Sequence, residues 1–427
     1  MHSLAQERWL RAKEIDLKDV RPSKLMSDSF VNTKLSDKVK WSLPWLLRYP
    51  AWRAGEFLSR AKESSGPSHL IFVVANHFEP GLGRPALERL EKWCELARVT
   101  GDALRDHDGT PFRHTNFFPA EQYERPLLEM LSALQADGYG EVEIHLHHGV
   151  ERPDTAENTR QQLETFRDVL AEEHKCLARF ADKPFDTQPK YGFVHGNWAL
   201  ANSAGGRFCG VDSEMQILAD TGCYADFTLP SVPFQSQVPR INAIYQCGHS
   251  FAEARPHRSG RSLRVGGPLR LPIIFTGPLV FDWTRRVRGL PIPRVEDGAL
   301  AQNYPLSMDR LQRWRSAGIG VKGRPEWIFI KLYSHGFFDW DQDLMIGEQM
   351  KRFMGDVLET AERTGEYKVH FASAREAFNM VAAAVDGRDG LPGAYRDYKL
   401  RQIMDEQAIP KVHGEIDRER ESVVVLR

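Results

Sequence analysis

Short runs that are apolar throughout recur between helical stretches along this chain, beginning with HLIFVVAN at residues 69–76. A strand with no polar face has to be covered on both sides, which is the condition of strands in a parallel sheet flanked by helices. Helical patterns follow near 85–106 and 121–136, and then the strand EVEIHLHH (141–148). Asp154 or Thr155 is placed to open the next helix, carried by TAENTRQQLETFRDVLAEEHKCLARF. PKYGFVHG (189–196) reads as a strand, DSEMQILADTG as a helix closed at Gly222, and CYADFTLPS as the start of another short strand. The alternation returns in SMDRLQRWRSAG, EWIFIKLYSHG, LMIGEQMKRFMGDVLETAERTG, YKVHFAS and AREAFNMVAAAV. Such a succession predicts an α/β protein with a parallel sheet or barrel rather than a β-sandwich.

Three stretches stand outside this pattern. Residues 1–65 read as an N-terminal helical extension, polar apart from WSLPWLLRYPAWRAGEFLSR (41–60), which mixes Trp41, Trp45, Trp52 and Phe57 with Lys40, Arg48, Arg53 and Arg60. A basic, tryptophan-rich segment of this kind can lie in a membrane interface; it can equally pack on the main domain, interrupted at Pro44 and Pro50. An insertion at 250–300 carries nine arginines between Arg255 and Arg294 against one acidic residue, Asp282. It can attract phosphates or acidic sugars, or its arginines can pair with carboxylates elsewhere. Residues 387–427 are charged and weakly periodic and are expected to form a peripheral tail, which leaves 66–386 as the main domain.

A net charge of -1 over 427 residues gives no reason to expect a nucleic-acid partner. The five cysteines are scattered without a CxxC pair, which predicts neither a disulfide framework nor a cysteine zinc site. The first twenty residues have no apolar core of a secretory signal, and no apolar run approaches a membrane span. The expectation is a cytoplasmic protein, with residues 41–60 either packed on the main domain or in contact with the inner membrane face.

In parallel α/β architectures chemistry gathers where strands end. The first strand here ends in Asn76, His77, Phe78 and Glu79; the second in His145, His147 and His148; the third in His195, Gly196, Asn197 and Trp198; another in Asp226 and Phe227; and a late one in Ser334 and His335. Imidazoles with a carboxylate are the usual ligands of Zn²⁺, and an open coordination position activates water. The metal candidates are therefore His77, His145, His147, His148 and His195. Residues two apart on a strand share a face, so His145 and His147 should point one way and His148 the other, unless the strand frays first. Glu79 is either a ligand or the general base, Asp226 is a further catalytic carboxylate, and His335 is placed as the general acid. Asn197, Trp198, Phe227 and Trp340 supply polar and flat aromatic groups suited to a sugar ring.

In that order, ANHFEP, EIHLHHG, YGFVHGNWAL, CYADFTLPS and FIKLYSHG resemble the successive motifs of the NodB-type polysaccharide deacetylases, within the wider group of glycoside hydrolase/deacetylase β/α barrels. The closing KVHFASAREAFNMV resembles the strand and helix that end many such domains, so the resemblance spans roughly residues 69–385. It implies an irregular (β/α)7-type barrel that removes acetyl groups from N-acetylated sugars by Zn²⁺-assisted hydrolysis. His145 with His147 or His148 would then be ligands and His335 the acid. The substrate implied is a carbohydrate in bacterial polysaccharide or glycolipid metabolism, nucleotide- or lipid-linked if the protein is cytoplasmic. Where that family has two adjacent aspartates, this chain has Asn76 and His77, with Glu79 two residues on. A catalytically inactive glycan-binding or scaffold protein on the same barrel is the alternative, and a glycosidase using Glu79 and Asp226 a third.

Overall fold

A computed structural model describes residues 34–60, 66–183, 185–335 and 339–407. Its centre is one large sheet. The strands are β1 (Ser68–His77), β2 (His114–Pro119), β3 (Gly140–Leu146), β4 (Tyr191–His195), β5 (Cys223–Asp226), β6 (Ile244–Cys247), β7 (Gly260–Ser262), β8 (Ile273–Phe275), β9 (Trp327–His335) and β10 (Tyr367–Ala372). Their order is β9-β1-β2-β3-β4-β5-β8-β6-β7, with β10 also paired to β1. All pairings are parallel except β8 with β6 and β6 with β7. β1 runs along β9 over its whole length and divides its other edge between β10 at the start and β2 at the end.

The apolar run of β1 is explained by its two faces. Leu70, Phe72 and Val74 belong to one hydrophobic core, and Ile71, Val73 and Ala75 to another. The first core is shared with α3 (Arg84–Ala103), α4 (Arg125–Ala136), α5 (Ala156–Glu172), α6 (Glu214–Thr221) and α7 (Met308–Ser316), and with α8 (Asp339–Met345) and α9 (Glu348–Thr364). The second takes in α10 (Ala374–Val385), whose residues are buried on every side, as befits a helix rich in alanine and valine. Thr155 caps α5 through the Asn158 amide, and Gly222 ends α6 at φ 105°, where a side chain would be strained. Beyond β5 and β8 the chain returns to β9: the Lys331 amine donates to the Leu229 carbonyl at 2.9 Å, and a Cβ on Gly277 would stand 2.8 Å from the Lys331 carbonyl oxygen.

Several elements differ from the sequence expectation. β2 was not anticipated, because HTNFFP offers only a short apolar core, yet all six of its residues are buried. Its polar groups find partners: Thr115 Oγ1 accepts from the Ala374 amide, and Asn116 meets Asn76. β3 stops at Leu146, two residues before the end of EVEIHLHH. The helix expected from LMIGEQMKRF onward is broken at Gly347, where Asp343 caps α9 by accepting from the Glu348 amide. Residues 387–407 are tied to the body rather than peripheral. Arg396 binds Asp106, Asp108 and Glu376, and Leu400–Gln402 pairs antiparallel with Ala178–Phe180. Residues 408–427 lie outside the described part of the chain.

The 41–60 segment forms α1 (Leu35–Leu46), with Pro44 inside its last turn, and α2 (Tyr49–Arg60). Trp45 is buried against Phe281, which Tyr49 also meets edge-on at 4.8 Å. Opposite Trp45, Leu35, Val39, Leu43 and Leu47 stand exposed at four-residue intervals. No helix among the described residues is long and apolar enough to cross a membrane.

β3 also buries two carboxylates. Glu141 pairs with Arg375 at 2.8 Å, but among the described residues no cation pairs with Glu143; the Tyr224 hydroxyl and the Gly192 amide donate to it. Burial pushes its carboxyl up to about 8 despite those two bonds. A raised folded-state pKa gives stability that is complete below the unfolded value and is lost as pH rises through the folded one. Between pH 5 and 8 the wild type should therefore lose stability relative to Glu143→Gln, at a slope of up to about 1.4 kcal/mol per pH unit. Urea midpoints of both proteins at the two pH values check this, and parallel pH curves would count against it.

Candidate metal centre and its partly open neighbour

Because β3 ends at Leu146, the residues that follow leave the sheet on both sides. His145 and His147 come together, with ring centroids 4.5 Å apart, while His148 turns the other way to meet His195 at the end of β4. Two separate groups of donors result.

The first is closed. His148 Nε2 lies 3.0 Å from His195 Nε2 and 2.9 Å from Glu214 Oε1; His195 Nε2 is 3.2 Å from the same oxygen. Cys209 Sγ sits 3.6 Å from Glu214 Oε2. None of the four is more than 4% exposed. They come from four segments: the end of the β3 turn, the end of β4, a loop, and the first turn of α6. Gly149 is at φ 63°, and a Cβ there would stand 2.2 Å from the Cys209 carbonyl oxygen, so the two loops cross only because it is glycine. Behind the donors, His148 Nδ1 bonds Asp154 at 2.9 Å, and His195 Nδ1 bonds the Gly196 carbonyl. Burial opposes charge on all of these groups. The Glu214 carboxylate nonetheless outweighs it at His195, raising that imidazole to about 9, and the His195 and His148 rings in turn hold Glu214 well below the usual carboxylate range. His148, His195, Cys209 and Glu214 could hold a metal ion. Cys209 stands outside the sequence expectation, because it belongs to a group that could hold a metal ion. A CxxC search finds ligands that are neighbours in sequence, whereas here one thiol joins donors from distant segments. Glu214 was missed for the same reason.

The second group is partly open. His77, Glu79 and His145 bring one donor atom each within 4.8 Å of one another. His145 Nδ1 donates to the Val194 carbonyl at 2.7 Å, which leaves Nε2 as the lone-pair nitrogen. That Nε2 is buried without a hydrogen-bond partner and lies 3.5 Å from Glu79 Oε1. The Glu79 side chain retains 17% exposure and is also 3.7 Å from His147 Nε2. Glu121, which sequence reasoning passed over, holds His147 by its Nδ1 at 2.5 Å. Burial would lower the His147 pKa, but Glu121 and then Glu79 outweigh burial and raise it. Gly196 is needed here, since a Cβ would meet His147 Cδ2 at 2.4 Å. Asn197 and Trp198 follow it with φ of 54° and 55°, a conformation that costs energy in non-glycine residues and collects at functional sites. The Trp198 ring lies 6.2 Å from His77 and stacks on Phe234 at 5.2 Å. Asn197 Oδ1 is buried without a hydrogen-bond partner.

The remaining candidates are placed elsewhere. Phe227 packs between Phe117 and Phe275 in the core, fully buried, and has no face left for a sugar. Asp226 is also fully buried; Thr228 donates to it through both amide and hydroxyl, and the Thr228 hydroxyl oxygen accepts from the His195 amide. Through Thr228 this aspartate is linked to the end of β4 without meeting solvent, and burial raises Asp226 to about 7 and lowers Lys331 to about 7. Asn76, at the first motif, donates to Asn116 and accepts from the Ser334 hydroxyl. The backbone of His335 lies level with His77 in the β1–β9 register, but its side chain and that of Trp340 lie outside what the structure describes. A cavity of about 460 Å³ lined by Ser262, Arg264, Val265, Lys322 and Gly323 contains none of these groups.

Comparison with protein-family models, with curated proteins and with solved structures finds no match for this chain.

Proposed function

We propose that the chain is a metal-dependent hydrolase that removes acetyl groups from N-acetylated sugars, with the partly open group as its reaction centre. The observation that carries this reading is the buried, unpartnered Nε2 of His145 aimed at the Glu79 carboxylate. A lone-pair nitrogen kept dry and unsatisfied costs stability, and a cation beside it removes that cost. His77, Glu79 and His145 would hold the ion, a three-ligand set of the kind that Zn²⁺ uses in catalytic sites. The ion supplies Lewis acidity, which polarises an acyl carbonyl and makes water nucleophilic near neutral pH.

The chain's own residues do the rest. His147, steadied by Glu121, takes a proton from the attacking water and passes it to the departing amine, the work of a positioned acid–base imidazole. Trp198 offers an aromatic face beside His77 for the sugar. The order of strand-end motifs supports the deacetylase class, and the return of the chain from β5 and β8 to β9 supports an irregular barrel. Purified protein should release acetate from N-acetylglucosamine oligomers in a Zn²⁺-dependent manner. Metal bound by His77, Glu79 and His145 with no hydrolysis of any acetylated sugar, but measurable glycan retention, would replace the enzyme by a binding protein.

A lipid-linked substrate is favoured over a nucleotide-linked one by the exposed stripe of α1. Lys34, Lys40 and Arg48 are exposed within the same stretch of sequence, and Phe281 joins α1 and α2 to a second exposed segment with Trp283, Arg285, Arg286, Arg288 and Leu290. Exposed apolar side chains in a segment that also carries cations suit an anionic bilayer surface. The protein should sediment with phosphatidylglycerol-containing vesicles and not with pure phosphatidylcholine, and Leu43→Glu/Leu47→Glu should release it. Absence of binding at low ionic strength would remove this argument.

A further inference from the structure

We propose that His148, His195, Cys209 and Glu214 hold a second ion, of the Zn²⁺ class, in a closed site that ties together the loops of the reaction centre and takes no part in the reaction. Four protein donors complete a tetrahedral shell and leave no position for water or substrate, the arrangement of structural zinc sites. The two imidazole nitrogens and Glu214 Oε1 already stand 2.9–3.2 Å apart, and one ligand atom from each of the four residues lies within 4.8 Å of the others. Zinc–nitrogen and zinc–sulfur bonds of about 2.0–2.3 Å place tetrahedral ligands roughly 3.3–3.7 Å from each other, so the two nitrogens and the oxygen need to part by only a few tenths of an ångström.

The charges balance as well. A divalent ion with one thiolate, one carboxylate and two neutral imidazoles is a neutral unit, the form a dry interior tolerates best. Without an ion, two imidazole nitrogens face each other at 3.0 Å inside the protein. The Asp154 carboxylate and the Gly196 carbonyl accept from the two Nδ1 atoms, which orients both Nε2 lone pairs inward; metal-binding histidines characteristically have such partners. The thiolate disfavours Mg²⁺ and Ca²⁺, which prefer oxygen.

The site's position gives it a task. His148 is adjacent to His147, and His195 leads directly into Gly196, Asn197 and Trp198. Asn197, Trp198, Ala201 and Asn202 all have positive φ, and the Ala201 amide donates to Glu214 Oε2 at 2.6 Å. A cross-link at His148, His195, Cys209 and Glu214 therefore pins both ends of this strained loop, and with it Trp198 and the backbone under His147.

Cobalt substitution of the full chain tests the proposal independently of activity. Among the described residues only this metal-capable group contains a cysteine, so a thiolate-to-Co²⁺ charge-transfer band in the near ultraviolet reports on it alone. The expected result is a Co²⁺-loaded wild type that shows the band together with the intense visible absorption of a tetrahedral site. Cys209→Ser should abolish the band. Asp154→Ala, which keeps all four donors, should weaken retention of this ion about 10–100-fold. His145→Ala should leave the band intact even while it removes the other ion, so failure of the proposed reaction centre and failure of this site are read separately. A cobalt-loaded wild type without the band, a measurement that needs no variant to fold, would overturn the proposal; so would a band that survives in Cys209→Ser.

Discussion

His147→Ala will lower kcat on an N-acetylated sugar by about 10²–10⁴-fold, the contribution of one positioned acid–base group, while the bound metal stays. His145→Ala will instead remove both the activity and the ion at the partly open group. The contrast between the proposed roles follows from the partner at Nδ1: His145 meets the neutral Val194 carbonyl, whereas His147 meets the Glu121 carboxylate, which raises its basicity. Metal analysis beside steady-state kinetics separates the roles. Equal metal loss in both variants would make His147 a ligand, and unchanged kcat in His147→Ala would take the proton transfer away from it.

The largest effect on stability is expected at Arg310. Its guanidinium is fully buried and binds Glu296 through Nε at 2.7 Å and through a terminal nitrogen at 2.9 Å, with the Tyr304 and Ala299 carbonyls accepting its remaining bonds. It thus ties α7 to the segment that pairs with Tyr333 at Gly298–Leu300. Arg310→Met strands a buried carboxylate that still accepts from the Gly298 amide but has lost its cation, and should cost about 3–5 kcal/mol. Arg310→Met/Glu296→Met should regain part of that loss, because the stranded charge, rather than the missing attraction, is the main cost. Denaturant midpoints of the two variants decide the matter. An Arg310→Met protein as stable as the wild type would mean that water reaches Glu296.

β1, β4 and β9 were legible because each contains a run of four or more residues without a polar side chain, which suits a doubly covered strand, and β10 because YKVHFA alternates. β2 was not. Its Thr and Asn read as loop residues until Ala374 and Asn76, both remote in sequence, supply their hydrogen bonds. Phe227 was misread as substrate-facing for a related reason. Its position after a strand end suggested an open edge, but Phe117 and Phe275 close over it. Glu121 and Lys331 carried no signal at all, one in a short turn and the other in the middle of an apolar strand.

The sequence by itself determined the alternation of strand and helix and the set of histidines at strand ends, because periods of two and 3.6 residues are local and each strand end is marked by where its apolar run stops. Only the tertiary structure decided that HLHH serves two groups instead of one. His148 reaches Glu214, 66 residues away, through loops that cross at Gly149. Which face a side chain takes after a strand frays depends on what is packed there, and no local pattern records a partner that the chain has yet to bring back.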